Sequence, residues 1–128
     1  MAESESAGVP APDIRERTLE YGLRAVKLYR ALRKGRDGAG RVIATQFLRA
    51  ATSVGANVAE SQAAESRADF IHKYSIAQKE ARESLYWLRL MAKANVMPAQ
   101  RLADLVRETE ELVAIITTIL VHTKDGTG

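Results

Sequence analysis

Apolar residues recur every three or four positions over most of the chain, which is the spacing of one face of an α-helix. Asp13, a suitable N-cap residue, precedes the first such stripe. Three glycines within residues 34–40 follow it and predict that the helix ends there, in a flexible turn rather than in a phosphate-binding loop. The stripe consists of Ile14, Thr18, Tyr21, Ala25, Leu28 and Leu32.

Three further stripes predict three further helices. The second helix is expected over about residues 42–60 and the third over about 67–95, with Ser66 and Asp69 resembling a capping box. Pro98 is expected in the first turn of the fourth helix. The pattern therefore predicts an all-α fold, an antiparallel up-down-up-down four-helix bundle over residues 13–123. Residues 1–12 are predicted to be a disordered N-terminal tail, and residues 124–128 a C-terminal tail.

The second predicted helix is rich in small residues between Ala50 and Glu60. A glycine at position 55 costs the helix roughly 1 kcal/mol relative to alanine. A close approach of a neighbouring backbone would compensate for this cost. The sequence therefore predicts that helix two lies unusually near another helix around Gly55.

The third predicted helix carries apolar residues on two sides. One side faces the core, and the other holds Ile76, Tyr86, Trp87 and Leu90. A helix that is apolar on two sides is buried on two sides, and aromatic residues are enriched at interfaces. We expect these four residues to form an interface between copies of the chain. The alternative is scattered surface hydrophobes, which are common.

Positive charge is concentrated in the first helix and the loop after it, where residues 14–41 hold nine bases and three acids. Such a band attracts polyanions, and binding of this kind weakens steeply with salt. No aromatic residues interleave with the bases, so reading of a base sequence is not indicated. The alternative is a solvated helix face. The candidate nucleic-acid-binding residues are Arg17, Arg24, Lys27, Arg30 and Lys34.

Searches for catalytic or metal-binding patterns indicate no enzyme, metal or cofactor. The chain has no cysteine. Its two Glu-x-x-Glu pairs, Glu80/Glu83 and Glu108/Glu111, lack the histidine of di-iron bundles, and such carboxylates are usually either solvated or paired with Lys or Arg. Asn57 and Glu60 share one helix face. They would form either a polar cluster with Arg49 or Glu83, or a helix-terminal network that fixes register or an oligomer contact.

The N-terminus lacks the basic and apolar regions of a signal peptide, and no apolar run approaches the roughly 20 residues of a membrane span. We therefore expect a cytoplasmic protein that does not bind membranes.

The segment LRAATSVGANVAESQAAESRADFIHKYSIAQKEARESLYWLRLM (48–91) resembles the bacterial four helix bundle protein family, also called 23S rRNA intervening-sequence-encoded proteins. The small-residue helix SVGANVAE (53–60), the aromatic Phe70 and the segment RTLEYGLRAVKLYRAL (17–32) carry the resemblance. It implies a left-handed bundle and, from the wider superfamily, assembly as a homopentamer. A distant similarity to the accessory protein of diversity-generating retroelements further implies nucleic acid and a reverse transcriptase as partners. It supplies no catalytic residues.

Two hypotheses follow from the sequence. In the first, the chain is a non-enzymatic oligomeric scaffold that binds RNA or a protein partner through its basic surface. In the second, it is a small-molecule-binding or enzymatic bundle with a site in the bundle core or in the channel of the oligomer.

Overall fold

The computed structural model describes residues 13–126, and within this range it contains four α-helices and no β-strand. The helices are α1 (Ile14–Leu32), α2 (Gly38–Ser61), α3 (Arg67–Lys93) and α4 (Ala99–Lys124). The all-α prediction is therefore confirmed. The predicted tail over residues 1–12 lies outside the described residues, as do residues 127 and 128 of the C-terminal tail.

Side chains cap helices α1 and α3 as their sequences predict. Asp13 accepts a hydrogen bond from the backbone amide of Glu16 (3.1 Å), and Ser66 accepts one from Asp69 (3.0 Å). The carboxylate of Asp69 returns a contact to the amide of Glu65 (3.3 Å) rather than to that of Ser66. The capping-box expectation thus holds with its second hydrogen bond shifted by one residue.

Helix α2 begins at Gly38, four residues before the predicted start, so the expectation of a loop through residue 40 is wrong. The helix starts early because the side chain of Asp37 accepts a hydrogen bond from the amide of Gly40 (3.0 Å). This cap offsets the low helix propensity of the glycines. Glycine is needed at position 40 for space. An added Cβ would lie 2.7 Å from Oδ2 of Asp37 and 3.1 Å from Cγ1 of Val96.

The turn between α3 and α4 also differs in detail from the prediction. Helix α3 ends at Lys93, because Asn95 adopts a left-handed conformation with φ of 57°. The amides of Asn95 and Val96 then bond to the carbonyls of Ala92 (3.2 Å) and Met91 (2.9 Å), which is a Schellman ending. Pro98 occupies the N-cap position, one residue outside α4, and Lys124 is the last helical residue rather than the first of a tail.

Two groups of buried side chains show that consecutive helices run in opposite directions. One group joins the end of α1 and the start of α2 to the end of α3 and the start of α4. The other joins the start of α1 and the end of α2 to the start of α3 and the end of α4. The antiparallel four-helix bundle is therefore confirmed, with the α1–α2 and α3–α4 turns together at one end.

The predicted close approach occurs between α1 and α2. A Cβ added at Gly55 would lie 3.0 Å from the carbonyl oxygen of Thr18 and 3.2 Å from its carbonyl carbon. Both atoms belong to the backbone, so they cannot rotate away as a flexible side chain would. The small residues of α2 thus allow the two helices to lie close together, and at Gly55 an added side chain would press on the backbone of α1.

Contacts between α1 and α4 are few compared with those of the other neighbouring helices, and polar groups join the two. The hydroxyl of Tyr21 lies 2.6 Å from Oγ1 of Thr109, which itself lies 2.7 Å from the carbonyl of Leu105. Both side chains are buried. Thr109 donates to the Leu105 carbonyl, so Tyr21 is the donor in the contact between the helices.

Alanine substitution tests the close approach at Gly55, with Gly22→Ala as the matched control. A Cβ at Gly22 would make only an ordinary contact with Cγ2 of Thr52 at 3.9 Å. We expect Gly22→Ala to raise the free energy of unfolding by about 0.5–1 kcal/mol. Gly55→Ala should lower it, because the backbones must separate. Urea denaturation measures both, and equal stabilisation by the two substitutions would contradict the contact.

Tyr21 should make the stability fall in alkaline solution. Burial raises the pKa of Tyr21 to about 12, from an ordinary value of 10.0. The neutral phenol is favoured in the folded state, so its contribution is complete below pH 10 and is lost as the pH rises towards 12. Tyr21→Phe should reduce this loss, whose slope is at most about 1.4 kcal/mol per pH unit. Denaturation of both proteins from pH 9 to about pH 12 gives the comparison, and parallel curves would exclude Tyr21 as the cause.

Candidate nucleic-acid and docking surfaces

Each Glu-x-x-Glu pair holds one arginine of a neighbouring helix. The guanidinium of Arg17 on α1 contacts Glu108 through Nη2–Oε1 (2.6 Å) and Nε–Oε2 (3.1 Å), and Glu111 through Nη2–Oε1 (2.9 Å). The hydrogen bonds that Arg17 donates to Glu108 and, to a smaller extent, to Glu111 raise the pKa of Arg17 above its ordinary range. The pair on α4 therefore serves as a two-carboxylate clamp between helices.

A second clamp joins α2 to α3. Arg49 contacts Glu80 (Nη1–Oε1, 3.3 Å) and Glu83, while the indole N–H of Trp87 donates to Oε2 of Glu83 (3.0 Å). The carboxylate of Glu80 is nearly buried. The interpretation of both Glu-x-x-Glu pairs as partners of arginine is confirmed. No group of three or more potential metal-ligating side chains occurs within residues 13–126.

Asn57 and Glu60 do not belong to a cluster with Arg49 and Glu83. The side-chain amide of Asn57 donates to the carbonyl of Ser53 one turn earlier (2.9 Å). Glu60 forms an ion pair with Lys73 of α3 (3.3 Å). The polar-cluster alternative is therefore wrong, and the two residues make separate contacts near the end of α2.

The bundle end that carries the α1–α2 and α3–α4 turns is strongly basic, and we call residues 26–46 and 86–104 the basic end. It holds nine bases and two acids, a net charge of +7. The other described residues carry ten bases and twelve acids, a net charge of −2. Charge is thus separated along the bundle axis. The bases are Lys27, Arg30, Arg33, Lys34, Arg36, Arg41, Arg89, Lys93 and Arg101.

Nearly all of these cations are available to a ligand. All nine are exposed. Arg41 donates to the carbonyl of Gly35 (2.6 Å), and Arg89 lies 3.7 Å from Glu110. The other seven make no ion pair with any residue in the described part of the chain. The basic end therefore presents several unneutralised charges within one region.

The five predicted nucleic-acid-binding residues do not form one surface. Lys27, Arg30 and Lys34 lie at the basic end, but Lys34 follows the last residue of α1 and so does not extend the helix face. Arg17 is held by its two carboxylates on the α4 side, and Arg24 is half-buried. Sequence reasoning did not identify Arg89, Lys93 and Arg101, because their proximity to the α1–α2 turn depends on how the helices pack.

The four predicted interface residues of α3 differ in exposure. Trp87 is half-buried against the bundle's own core, so part of its apolar surface is covered within one chain. Ile76 and Leu90 are also half-buried. Tyr86 is 58% exposed, and its ring meets that of Trp87 edge-on with centroids 5.0 Å apart. The interface between copies stays a prediction, and Tyr86 is its most accessible member.

An apolar groove of about 740 Å³ runs along the outer surface between α1 and α2. Leu19 is 67% exposed and Leu23 is 44% exposed on its α1 side. From helical spacing alone both would widen the core-facing stripe of helix one, and their exposure contradicts that expectation. Their position beside the small-residue surface of α2 is visible only in the folded chain. The groove is lined by Leu19, Leu23 and Val26 of α1 and by Thr52, Ala56 and Ala59 of α2.

None of the four described helices is long and apolar enough to cross a membrane. This finding agrees with the absence of a long apolar run in the sequence.

Comparisons with known proteins identify the family. The family model described as 23S rRNA-intervening sequence protein matches residues 13–118. Among solved structures, a protein of unknown function from the S23 ribosomal protein family of Bacteroides thetaiotaomicron VPI-5482 is 34% identical, with a TM-score of 0.80. The match covers 84% of this chain and 98% of that chain. A search of curated proteins gave no significant match. The resemblance seen in residues 17–32 and 48–91 is confirmed, and the chain belongs to the 23S rRNA-intervening sequence protein family.

Proposed function

We propose that this protein is a non-enzymatic helical bundle that binds RNA through the phosphate groups at its basic end. The observation that carries the proposal is the separation of charge, +7 at the basic end against −2 over the other described residues. The name of the S23 ribosomal protein family, to which the solved neighbour belongs, refers to the ribosome. RNA is therefore the polyanion that we favour.

The side chains of the basic end suit contacts with phosphate groups better than contacts with nucleobases. Five of its nine cations lie in the short stretch Arg30–Arg41, and four of those five are arginines, whose planar guanidinium pairs with phosphate oxygens in a bidentate manner. Tyr29, the aromatic residue of α1 nearest to these cations, is half-buried against the core rather than exposed for stacking. Binding is therefore expected to follow charge and backbone shape rather than base sequence.

A binding role is favoured over a catalytic one by the state of the acidic residues. Both Glu-x-x-Glu pairs are occupied by arginines, so their carboxylates neutralise a charge of the protein itself. In general acid–base catalysis such carboxyl groups point at the substrate, and their own pKa values are shifted to suit the reaction. Here they hold helices together.

The proposal includes self-association through the outer side of α3. Tyr86 stands out from this side, with the half-buried Leu90 one turn further along the helix. Association of several copies would bring several basic ends into one assembly. Multivalent contact of this kind strengthens binding to a long polyanion without any new type of contact.

Neutralising Arg30 and Arg33 tests the basic end. We expect Arg30→Gln/Arg33→Gln to weaken binding to a short RNA hairpin and to reduce the slope of log K against log salt by roughly 1.4–1.8, for two lost phosphate contacts. Fluorescence anisotropy over a salt series measures both effects. The matched control is Arg67→Gln/Lys124→Gln, which removes two exposed charges at the opposite end.

The control protein should keep the wild-type slope and nearly the wild-type affinity. Equal losses in the two proteins would show that binding follows net charge alone, and the basic end would then have no special role. An unchanged slope in Arg30→Gln/Arg33→Gln would contradict the proposal directly.

Arg17 should contribute to stability and not to RNA binding, contrary to its inclusion among the candidate binding residues. Arg17→Gln leaves Glu108 and Glu111 together without their cation. We expect it to lower the free energy of unfolding by about 1–2 kcal/mol, the scale of a hydrogen bond to a charged group. RNA affinity should change by less than about twofold. Urea denaturation and the anisotropy assay separate the two effects, and a large loss of affinity in folded protein would return Arg17 to the binding surface.

A further inference from the structure

We propose that the groove between α1 and α2 receives the outer side of α3 from a second copy of this chain, with the two helices parallel. This inference rests on the self-association included in the proposed function, and it identifies the surface that receives Tyr86. The groove and the outer side of α3 are different surfaces, so each copy offers one of each. Contacts of this kind between unlike surfaces close into rings or extend into filaments.

The groove has the form of a helix-binding site. Its α1 side is formed by Leu19, Leu23 and Val26, and its α2 side by small residues. The lining residues Arg15–Val26 span about 17 Å at 1.5 Å per residue, which is three helical turns. Small side chains on α2 let a third helix approach closely, and exposed leucines supply the apolar contact that an amphipathic helix seeks.

Charge complementarity selects α3 of another copy as the occupant. The acids Glu16 and Glu20 line the groove and form no ion pair with any residue between 13 and 126. On the outer side of α3, Lys79 and Arg82 are exposed and likewise pair with no described residue. Two unpaired acids therefore face outwards on one surface, and two unpaired bases on the other.

The spacing along the two helices fixes their relative direction. On α1, the acids Glu16 and Glu20 precede the apolar pair Leu23 and Val26, and the centres of the two pairs are about 10 Å apart along the axis. On α3, Lys79 and Arg82 precede Tyr86 and Leu90 with a separation of about 11 Å. The order and the distance agree only when the helices run parallel. Opposite charges then meet at one end and apolar side chains at the other.

Parallel docking has a consequence for the assembly. Within one chain, α1 and α3 run in the same direction, because consecutive helices alternate. A contact between parallel α1 and α3 therefore keeps all bundles in one orientation. Every basic end then lies on the same side of the assembly, where several copies act on one polyanion.

A complementation experiment tests the pairing of unlike surfaces. Leu19→Glu/Leu23→Glu disables the groove, and Tyr86→Glu disables the α3 surface. Both sets of residues are exposed, so folding is preserved and is checked by circular dichroism. Val121→Glu, which replaces an exposed apolar residue of α4 outside both surfaces, is the control. Sedimentation velocity gives the mass of each protein alone and of a one-to-one mixture.

The wild type and Val121→Glu should be oligomers, and the groove and α3 variants should each be monomers. Their mixture should contain a species of two chains, because one intact groove then meets one intact α3 surface. The proposal is overturned if the groove variant keeps the wild-type mass, or if the mixture stays monomeric. A monomeric wild type would also overturn it, while the RNA-binding test of Arg30 and Arg33 would remain valid for the single chain.

A charge swap tests the parallel register. Glu20→Lys should raise the dissociation constant of the oligomer roughly tenfold, because like charges then face each other across the contact. Adding Arg82→Glu in the same chain should restore the constant to within about threefold of the wild type. Glu20→Lys combined with Lys124→Glu is the control, and its dissociation constant should stay raised. Failure of Arg82→Glu to restore association would refute the parallel arrangement.

Discussion

The close contact of α1 with α2 at Gly55 determines which side chains of these two helices stay exposed. The backbones of α1 and α2 meet near Thr18, and the exposed side chains of α1 beside this contact are covered by no described helix. Leu19 and Leu23 are left on the surface, and the small residues of α2 leave a groove beside them. On another side of α1, Arg17 reaches the two carboxylates of α4. One glycine thus links the packing of the bundle to its candidate docking surface.

Antiparallel topology turns a modest net charge into a strong local one. The whole chain carries only +3, which is weak for a protein that binds nucleic acid. Folding brings the two turns together, so the cations around residues 27–41 join those at residues 89–101. A local charge of +7 is what a phosphate backbone would meet. Docking of parallel helices between copies would preserve this asymmetry, and the proposed binding and the proposed assembly therefore support one another physically.

The two arginine clamps show why acidic motifs in helices need their surroundings before they can be interpreted. Glu80/Glu83 and Glu108/Glu111 have the spacing of carboxylates that hold metals in other bundles. In this chain each pair faces a guanidinium from a neighbouring helix. Glu108 and Glu111 hold Arg17 where α1 and α4 have few other contacts. Carboxylates that a metal-binding bundle would use as metal ligands therefore pair with arginines of neighbouring helices in this chain.

The sequence by itself determined the number of helices, their antiparallel order, the N-caps of α1 and α3 and the close approach at Gly55. These features follow from periodicity, capping and the space that a side chain occupies, which act over a few residues. Gly38 was misassigned because the capping strength of Asp37 outweighed the cost of nearby glycines. The partners of Arg17 lie 91 and 94 residues away, and the half-burial of Trp87 depends on the rotation of α3 within the bundle. Tertiary structure alone decided these contacts, the composition of the basic end and the groove, because each depends on which helix faces meet across the bundle.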